Sequence, residues 1–512
     1  MLRPLVAGSA VALVAAVAAG PATRAASPEL DPAFGDGGMT VVGGGTASLY
    51  PYDLAREPDG SVVAVGYGYA GNPYSDAAVL RLGSDGRPDP SSPVRLLNAG
   101  GIDRGDAVTV QPDGKIVVAG YTSVGDNVAV WRLLPSGVPD PSFSGDGFTS
   151  LDSGGNEEAF DVAVAADGRI LLAGKTTSAT GQRGMIVYRL TADGALDPTF
   201  DVDGAVRLGT SYGYATAVAV QSDGKVLVTG YDSSSTTLTV YRLTVTGALD
   251  ATFDFDGIAT VPSTYPEGFA LALQPGGGVL VAAHVYNGVD YDVVIARLTP
   301  SGSVDASFGS VSGVHVDLGG DEELTSLTLL PSGKIAGAGS TDAGDDGLVV
   351  VLGADGTPDA AFGPRGVRRV GVGSEELYGV TAQPDGKLLV LGNDGGSVTK
   401  AVVYRLVGDY SAPAPPPPAA SCQGRPATLL GTSGDDRLKG THKADVVVAL
   451  GGNDVVKGLG GNDVVCAGDG DDKVLGGPGR DRLYGEAGRD HLVGGSGKDR
   501  LVGGPDRDAI SQ

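Results

Sequence analysis

The residues best placed to do chemistry are aspartates near the C-terminal end, and their spacing is regular. From Gly431 to Ile510 the chain reads in nines: GTSGDDRLK, GTHKADVVV, ALGGNDVVK, GLGGNDVVC, AGDGDDKVL, GGPGRDRLY, GEAGRDHLV, GGSGKDRLV, GGPDRDAI. The sixth place is always aspartate: Asp436, Asp445, Asp454, Asp463, Asp472, Asp481, Asp490, Asp499 and Asp508. The eighth is always aliphatic: Leu438, Val447, Val456, Val465, Val474, Leu483, Leu492, Leu501 and Ile510. Glycine fills most first and fourth places, as a tight turn with positive φ requires. One inward aliphatic side chain per nine residues makes no globular core, but stacked coils bury it as a stripe.

Stacking also draws the sixth-place carboxylates into a column, where like charges repel. A hard divalent cation held by carboxylate and turn carbonyl oxygens removes that repulsion, and calcium accepts many oxygen ligands flexibly. The candidate calcium ligands, for several ions, are Asp436, Asp454, Asp463, Asp472, Asp481, Asp490 and Asp499, with the turn backbone at Gly452, Gly461, Gly470, Gly479, Gly488 and Gly497. The competing reading, a disordered tail rich in glycine and aspartate, does not explain an aliphatic eighth place filled in every copy.

These residues resemble the haemolysin-type (RTX) calcium-binding nonapeptide, G-G-x-G-x-D-x-U-x, of parallel β-rolls. The resemblance covers about the last 80 residues and implies two nonapeptides per coil. Asp454 then stacks with Asp472 and Asp490 on one side, and Asp463 with Asp481 and Asp499 on the other. Lys443 and Asp506 replace fourth-place glycines, and Glu486 stands where glycine is usual. Lys443 brings a cation, so the second turn should be a poor site. Arg480, Arg489, Lys498 and Arg507 follow the later turns and should partly neutralise the column.

The elements upstream repeat at a longer period. From Glu29 to Tyr410 seven units each carry an apolar strand, an Asp-Gly or similar turn and a second apolar strand, as in VAVQSDGKVLVTG at 218–230. The turn glycine recurs at Gly60, Gly114, Gly168, Gly224, Gly277, Gly333 and Gly386. Each unit adds a strand ending Tyr-Arg-Leu or a variant, and an LDPTF-like element ending at Phe34, Phe143, Phe200, Phe253, Phe308 or Phe362. Asp-Gly between apolar runs is a strong hairpin signal. Four short strands per repeat predict a propeller blade, and seven blades close a ring without long free edges. The region resembles the delta-sixty repeat family, which implies β-propeller architecture and no catalytic residues. The long linker after each Arg-Leu strand is read as the blade boundary. The unpaired LDPTF copy at Leu30–Phe34 is read as the piece that fills the seam between the last blade and the first.

The fold class is therefore all-β: a seven-bladed β-propeller over 29–410, a proline-rich linker over 411–421 and a parallel β-roll over 422–512. Residues 1–26 have the charge, apolar run and small-residue exit of a secretory signal peptide, so the mature chain is expected to be secreted, extracellular and without a membrane span. In that compartment Cys422 and Cys466 are expected to form a disulfide, the alternative being two free thiols; its loop would contribute about 4 kcal/mol. The chain has 512 residues and a formal net charge of −25. Almost all of that charge lies upstream of the roll, which argues against nucleic acid and anionic membrane as partners.

No catalytic constellation stands out. His284, His315, His442 and His491 are isolated in sequence, with structural or surface roles. GTSYG at 209–213 lacks the strand-turn-helix setting of a nucleophile elbow. Asp146, Asp201, Asp203, Asp254 and Asp256 read as turn residues. Trp131, Tyr188, Tyr241 and Tyr404 read as core, and the arginines Arg81, Arg132, Arg189, Arg242, Arg297 and Arg405 as blade-to-blade ion-pair partners. The resulting expectation is a monomeric, non-enzymatic secreted calcium-binding protein whose propeller binds an extracellular protein or glycan. The alternative is a polymer- or glycan-active hydrolase or lyase with its site at a propeller mouth.

Overall fold

The computed structural model describes residues 30–43, 48–69, 74–89, 94–177, 183–209, 212–232, 237–264, 266–342, 346–371, 376–394, 399–408 and 420–512. The expected signal peptide, most of the expected linker and the middle of GTSYG lie outside them. The chain divides into two compact units, Met1–Pro413 and Ala414–Gln512.

The first unit is a seven-bladed propeller of four-stranded antiparallel sheets. Blade 1 is formed by Leu49–Arg56, Val62–Gly68, Asp76–Leu82 and Val94–Leu97, in that order. Five blades repeat this meander. The seventh takes Leu377–Ala382, Leu388–Asn393 and Ala401–Leu406 from the end of the unit and its outer strand, Met39–Val42, from the beginning. Met39 lies opposite Tyr404, and Leu30 bridges Leu406. The unpaired N-terminal copy thus closes the ring, as its sequence position suggested. The first strands of successive blades contact one another all the way round, so they line the axis.

The blade boundary falls elsewhere than the linker length implied. The segment after each Arg-Leu strand folds back within its own blade: Leu133 bridges Pro139, Asp140 N–H donates to the Arg132 carbonyl at 2.9 Å, and Phe148–Leu151 pairs with Asn127–Leu133. The Asp-Pro turn returns the chain to the outer edge of the same sheet, and the crossing to the next blade is the short stretch between Leu97 and Asp103 or its equivalents.

Apolar side chains from facing sheets fill the seven interfaces between neighbouring blades. The LDPTF phenylalanines are fully or almost fully buried. Trp131, Tyr188, Tyr241 and Tyr404 are core residues. The repeated arginine joins these parts. Arg242 Nε donates to Asp250 of its own blade at 2.8 Å, its Nη1 donates to the Pro300 carbonyl of the next blade at 2.6 Å, and its guanidinium lies 4.4 Å from the Phe253 ring. The blade-to-blade link is therefore arginine to backbone, while the aspartate partner is intra-blade. In blade 6, where Val351 replaces the arginine, Arg368 takes the place over Phe362 at 4.4 Å. Asp146, Asp203 and Asp256 accept from backbone N–H groups two residues on, as plain turn residues do.

Each axial strand carries a β-bulge, and the residue after it can reach the next blade. Asp53 accepts from Val108 N–H and Asp161 from Val218 N–H, at 2.8 and 2.7 Å. Burial pushes Asp53 up to about 7 and Asp161 up to about 6; the bonded N–H groups act in the opposite direction, and the Asp161 charge raises Asp53 further. A carboxyl whose folded value lies above its unfolded value, about 3.9, contributes stability that is present at low pH and lost as pH rises through the folded value. The propeller transition is therefore expected to fall in temperature between about pH 4 and 7, the interval between the unfolded and folded values, and Asp53→Asn should flatten that fall. A calorimetric profile of Asp53→Asn parallel to the parent would refute it.

Candidate metal centre

The second unit is a parallel roll of two five-stranded sheets. One contains Leu429–Leu430, Val446–Val448, Val464–Asp469, Arg482–Ala487 and Arg500–Val502; the other Arg437–Lys439, Val455–Lys457, Lys473–Leu475, His491–Val493 and Ala509–Ser511. Strand partners are eighteen residues apart, as with Val447, Val465, Leu483 and Leu501, so each coil takes two nonapeptides. Val447, Val456, Val465, Val474, Leu483 and Leu492 form the dry stripe between the sheets, while Ile510 at the last coil is exposed.

Coil stacking dictates the glycines. Gly452, Gly461, Gly470, Gly479, Gly488 and Gly497 all have positive φ. A Cβ on Gly470 would stand 2.1 Å from the Gly452 carbonyl oxygen, and one on Gly479 would stand 1.5 Å from that of Gly461. Lys443 is tolerated because the second turn has no coil before it, and its φ is not positive. Glu486 does occupy the left-handed region at φ 74°, as do Leu450 and Leu459 at the equivalent second place.

The sixth-place aspartates form two columns in the predicted register. Oδ1 of Asp472 accepts from Asp454 N–H at 2.7 Å, and Oδ1 of Asp490 from Asp472 N–H at 3.0 Å. On the other side Asp463 donates to Asp481 and Asp481 to Asp499, both at 2.9 Å. The second oxygen is the telling one. Oδ2 of Asp454, Asp463, Asp472, Asp481, Asp490 and Asp499 is buried and has no hydrogen-bond partner. Six such orphans in one small domain are far more than folded proteins tolerate without a compensating ligand. Burial pushes Asp472 up to about 6, and the neighbouring Asp454 and Asp490 charges add to it against the hydrogen bond from Asp454 N–H. Asp454, Asp463, Asp481 and Asp490 are raised for the same leading reason. The basic residues do not neutralise the columns as expected. Arg489 pairs with Asp471 at 2.8 Å, and among the described residues none of Arg480, Arg489, Lys498 and Arg507 forms an ion pair with a sixth-place carboxylate. All four are exposed.

The first two turns are built differently. Oδ2 of Asp436 accepts from Thr432 N–H at 2.6 Å and Thr432 Oγ1 at 2.9 Å, and Oδ2 of Asp445 accepts from Thr441 N–H and Oγ1 at 2.7 and 2.9 Å. A threonine at the second place supplies what the later turns lack, so Asp436 stands apart from the other six candidate ligands. Cys422 and Cys466 form a disulfide with Cα atoms 5.6 Å apart. It packs the hairpin Ser421–Cys422/Arg425–Pro426 over Val448 and Val464, on the outside of the roll. Hard carboxylate and turn oxygens, with an orphaned oxygen in each later turn, suit a cation such as calcium.

Residues 443–474 and 475–510 match the RTX calcium-binding nonapeptide repeat. The C-terminal unit is an RTX repeat domain. Upstream of the RTX roll, residues 57–91, 111–143, 165–200, 221–253 and 274–308 match the family described as a domain of unknown function (DUF5122) beta-propeller. No curated protein matches the chain. Among solved structures, that of Sqt1 from Chaetomium thermophilum is 16% identical, covers 70% of this chain and 97% of its own, and has a TM-score of 0.40. Hydrazine synthase of Kuenenia stuttgartiensis is 13% identical, with 70% and 96% covered and a TM-score of 0.44. The PQQ-bound aldose sugar dehydrogenase of Streptomyces coelicolor is 13% identical, with 59% and 94% covered and a TM-score of 0.37.

A second group of residues, not singled out from the sequence, meets at one mouth of the propeller. Two places before each bulge, near the start of the axial strand, blades 5, 6 and 7 present Glu267, Glu323 and Glu376. Glu267 faces His284 across the sheet at 3.3 Å, so this histidine belongs to the mouth. Glu376 accepts from the Tyr378 hydroxyl. Burial raises Glu323; the His284 contribution lowers it, and the charges of Glu267 and Glu376 raise it. His315 lies apart, bonded to Ser312 at 3.0 Å.

Proposed function

We propose that the RTX roll binds several calcium ions through Asp454, Asp463, Asp472, Asp481, Asp490 and Asp499, and that the propeller is the recognition module of an exported protein. The carrying observation is the set of six buried Oδ2 atoms without partners. Calcium when bound supplies the missing positive charge, and this chain's part is to hold paired carboxylates and turn backbone at a fixed eighteen-residue stacking distance. Export is supported by the signal-like N-terminal sequence and the disulfide, and no helix among the described residues is long and apolar enough to cross a membrane.

Calorimetric titration of the full chain with calcium tests this reading. More than one ion per chain is expected, with fewer in an Asp472→Asn/Asp481→Asn double variant and an unchanged number in Thr432→Val. Absence of heat at millimolar calcium would sink the proposal. A second reading, a glycan- or polymer-active hydrolase or lyase, is favoured by the three carboxylates at the propeller mouth; turnover of a polysaccharide panel that is lost in Glu323→Gln would establish it.

A further inference from the structure

The same ring position is balanced on one side of the mouth and unbalanced on the other. In blades 2 and 3 it holds Arg104 and Glu158, which pair with each other, and Lys175 from the adjacent strand also pairs with Glu158. In blades 5 to 7 it holds Glu267, Glu323 and Glu376, and among the described residues no Lys or Arg pairs with any of them. The nearby Lys400 is engaged by Asp394 at 2.9 Å. Three carboxylates on consecutive blades, Glu267 and Glu323 half-buried and Glu376 exposed, therefore lack the Lys and Arg partners that the equivalent carboxylate receives from within the chain.

Tyrosines adjoin this acidic arc. Tyr50 and Tyr67 stack at 4.7 Å with 7° between planes, and Tyr52 meets Tyr378 edge-on at 6.0 Å, next to Glu376. The chain's own cation already uses these rings: the Arg104 guanidinium lies 5.8 Å from the centroid of Tyr52. Aromatic faces attract organic cations, whereas a hydrated divalent metal gains little from them.

We propose that this mouth binds a guanidinium or ammonium group presented by a partner polypeptide, the group entering between the Glu267–Glu323–Glu376 arc and the Tyr50–Tyr67 stack. The ligand supplies to blades 5–7 what Arg104 and Lys175 supply to blades 2–3. This inference rests on the recognition role of the propeller and is independent of the calcium reading, since the mouth substitutions leave the roll untouched.

The test is fluorescence anisotropy on the full chain in millimolar calcium with a labelled Arg-Gly repeat peptide and its Glu-Gly counterpart. Only the basic peptide should bind, and added salt should weaken it. Glu267→Gln/Glu323→Gln/Glu376→Gln is expected to weaken binding about tenfold or more. Asp113→Asn/Asp167→Asn/Asp223→Asn removes equal charge from exposed Asp-Gly turns and should change binding by less than about twofold, as a screened long-range effect would. Equal loss in both triple variants would reduce the effect to net charge and overturn the site. So would absence of binding, or a neutral oligosaccharide that binds and is lost in the mouth triple variant. Calcium stoichiometry measured on the same triple variant keeps failure here distinct from failure of the calcium reading.

Discussion

Chelation of divalent cations is expected to unfold most of residues 420–512 while the propeller stays folded. Without a cation the roll must keep two columns of buried carboxylates, each with an oxygen that no protein group satisfies. Its apolar stripe is thin, with one aliphatic side chain per nine residues, and cannot offset that cost. A site filled at a thousand times its dissociation constant contributes about 4 kcal/mol by mass action, and several such sites exceed the whole stability of an ordinary domain. Limited proteolysis with and without chelator is the direct readout, with new cleavage confined to the later coils. The first two turns should resist longest, because Thr432 and Thr441 already satisfy Asp436 and Asp445 and the disulfide clamps the adjacent hairpin. An identical cleavage pattern in calcium and in chelator would remove the basis for the calcium reading.

Arg405→Ala should destabilise the propeller by about 3–5 kcal/mol, the range for removing one partner of a buried ion pair. Arg405 is buried at the seam. Its guanidinium pairs with Asp31 at 3.0 Å, donates to the Ser84 carbonyl at 2.9 Å and to Gln383 Oε1 at 3.1 Å, and lies 4.8 Å from the Phe34 ring. One side chain thus ties the N-terminal segment, blade 1 and blade 7 together. Truncation leaves the Asp31 carboxylate buried with only Lys387, at 2.9 Å, as its remaining cation. Arg405→Lys should recover little, since an ammonium cannot reproduce the planar fork of contacts. Denaturant unfolding followed by a propeller signal gives the number; Arg87→Ala, a solvent-exposed arginine, is the reference. If the two variants lose the same stability, the seam does not depend on this node.

The coil period, the inward stripe and the stacking register of the roll were legible, because they are local and periodic. An eighteen-residue repeat fixes which glycine meets which carbonyl, which aliphatic group points inward and which aspartates stack. The seven blades were legible as repeats, and the spare Leu30–Phe34 segment as the closing piece. The blade boundary was not, since linker length says nothing about which sheet edge a returning strand joins; the fold-back of Asp140 onto Arg132 decides it. Thr432 and Thr441 were in plain view at their second places, but only side-chain geometry shows them occupying the oxygen that later turns leave free. The mouth was furthest from reach. Glu267, Glu323 and Glu376 are more than fifty residues apart and outside every repeated motif, so each reads as one more acidic residue in an acidic chain. Ring closure makes them neighbours, because an axial position visited once per blade becomes a continuous arc when the blades are set side by side. Composition and period determined which coils and blades form; whether their charges are matched was decided by the tertiary structure, since Coulomb energy depends on distance in space and not along the chain.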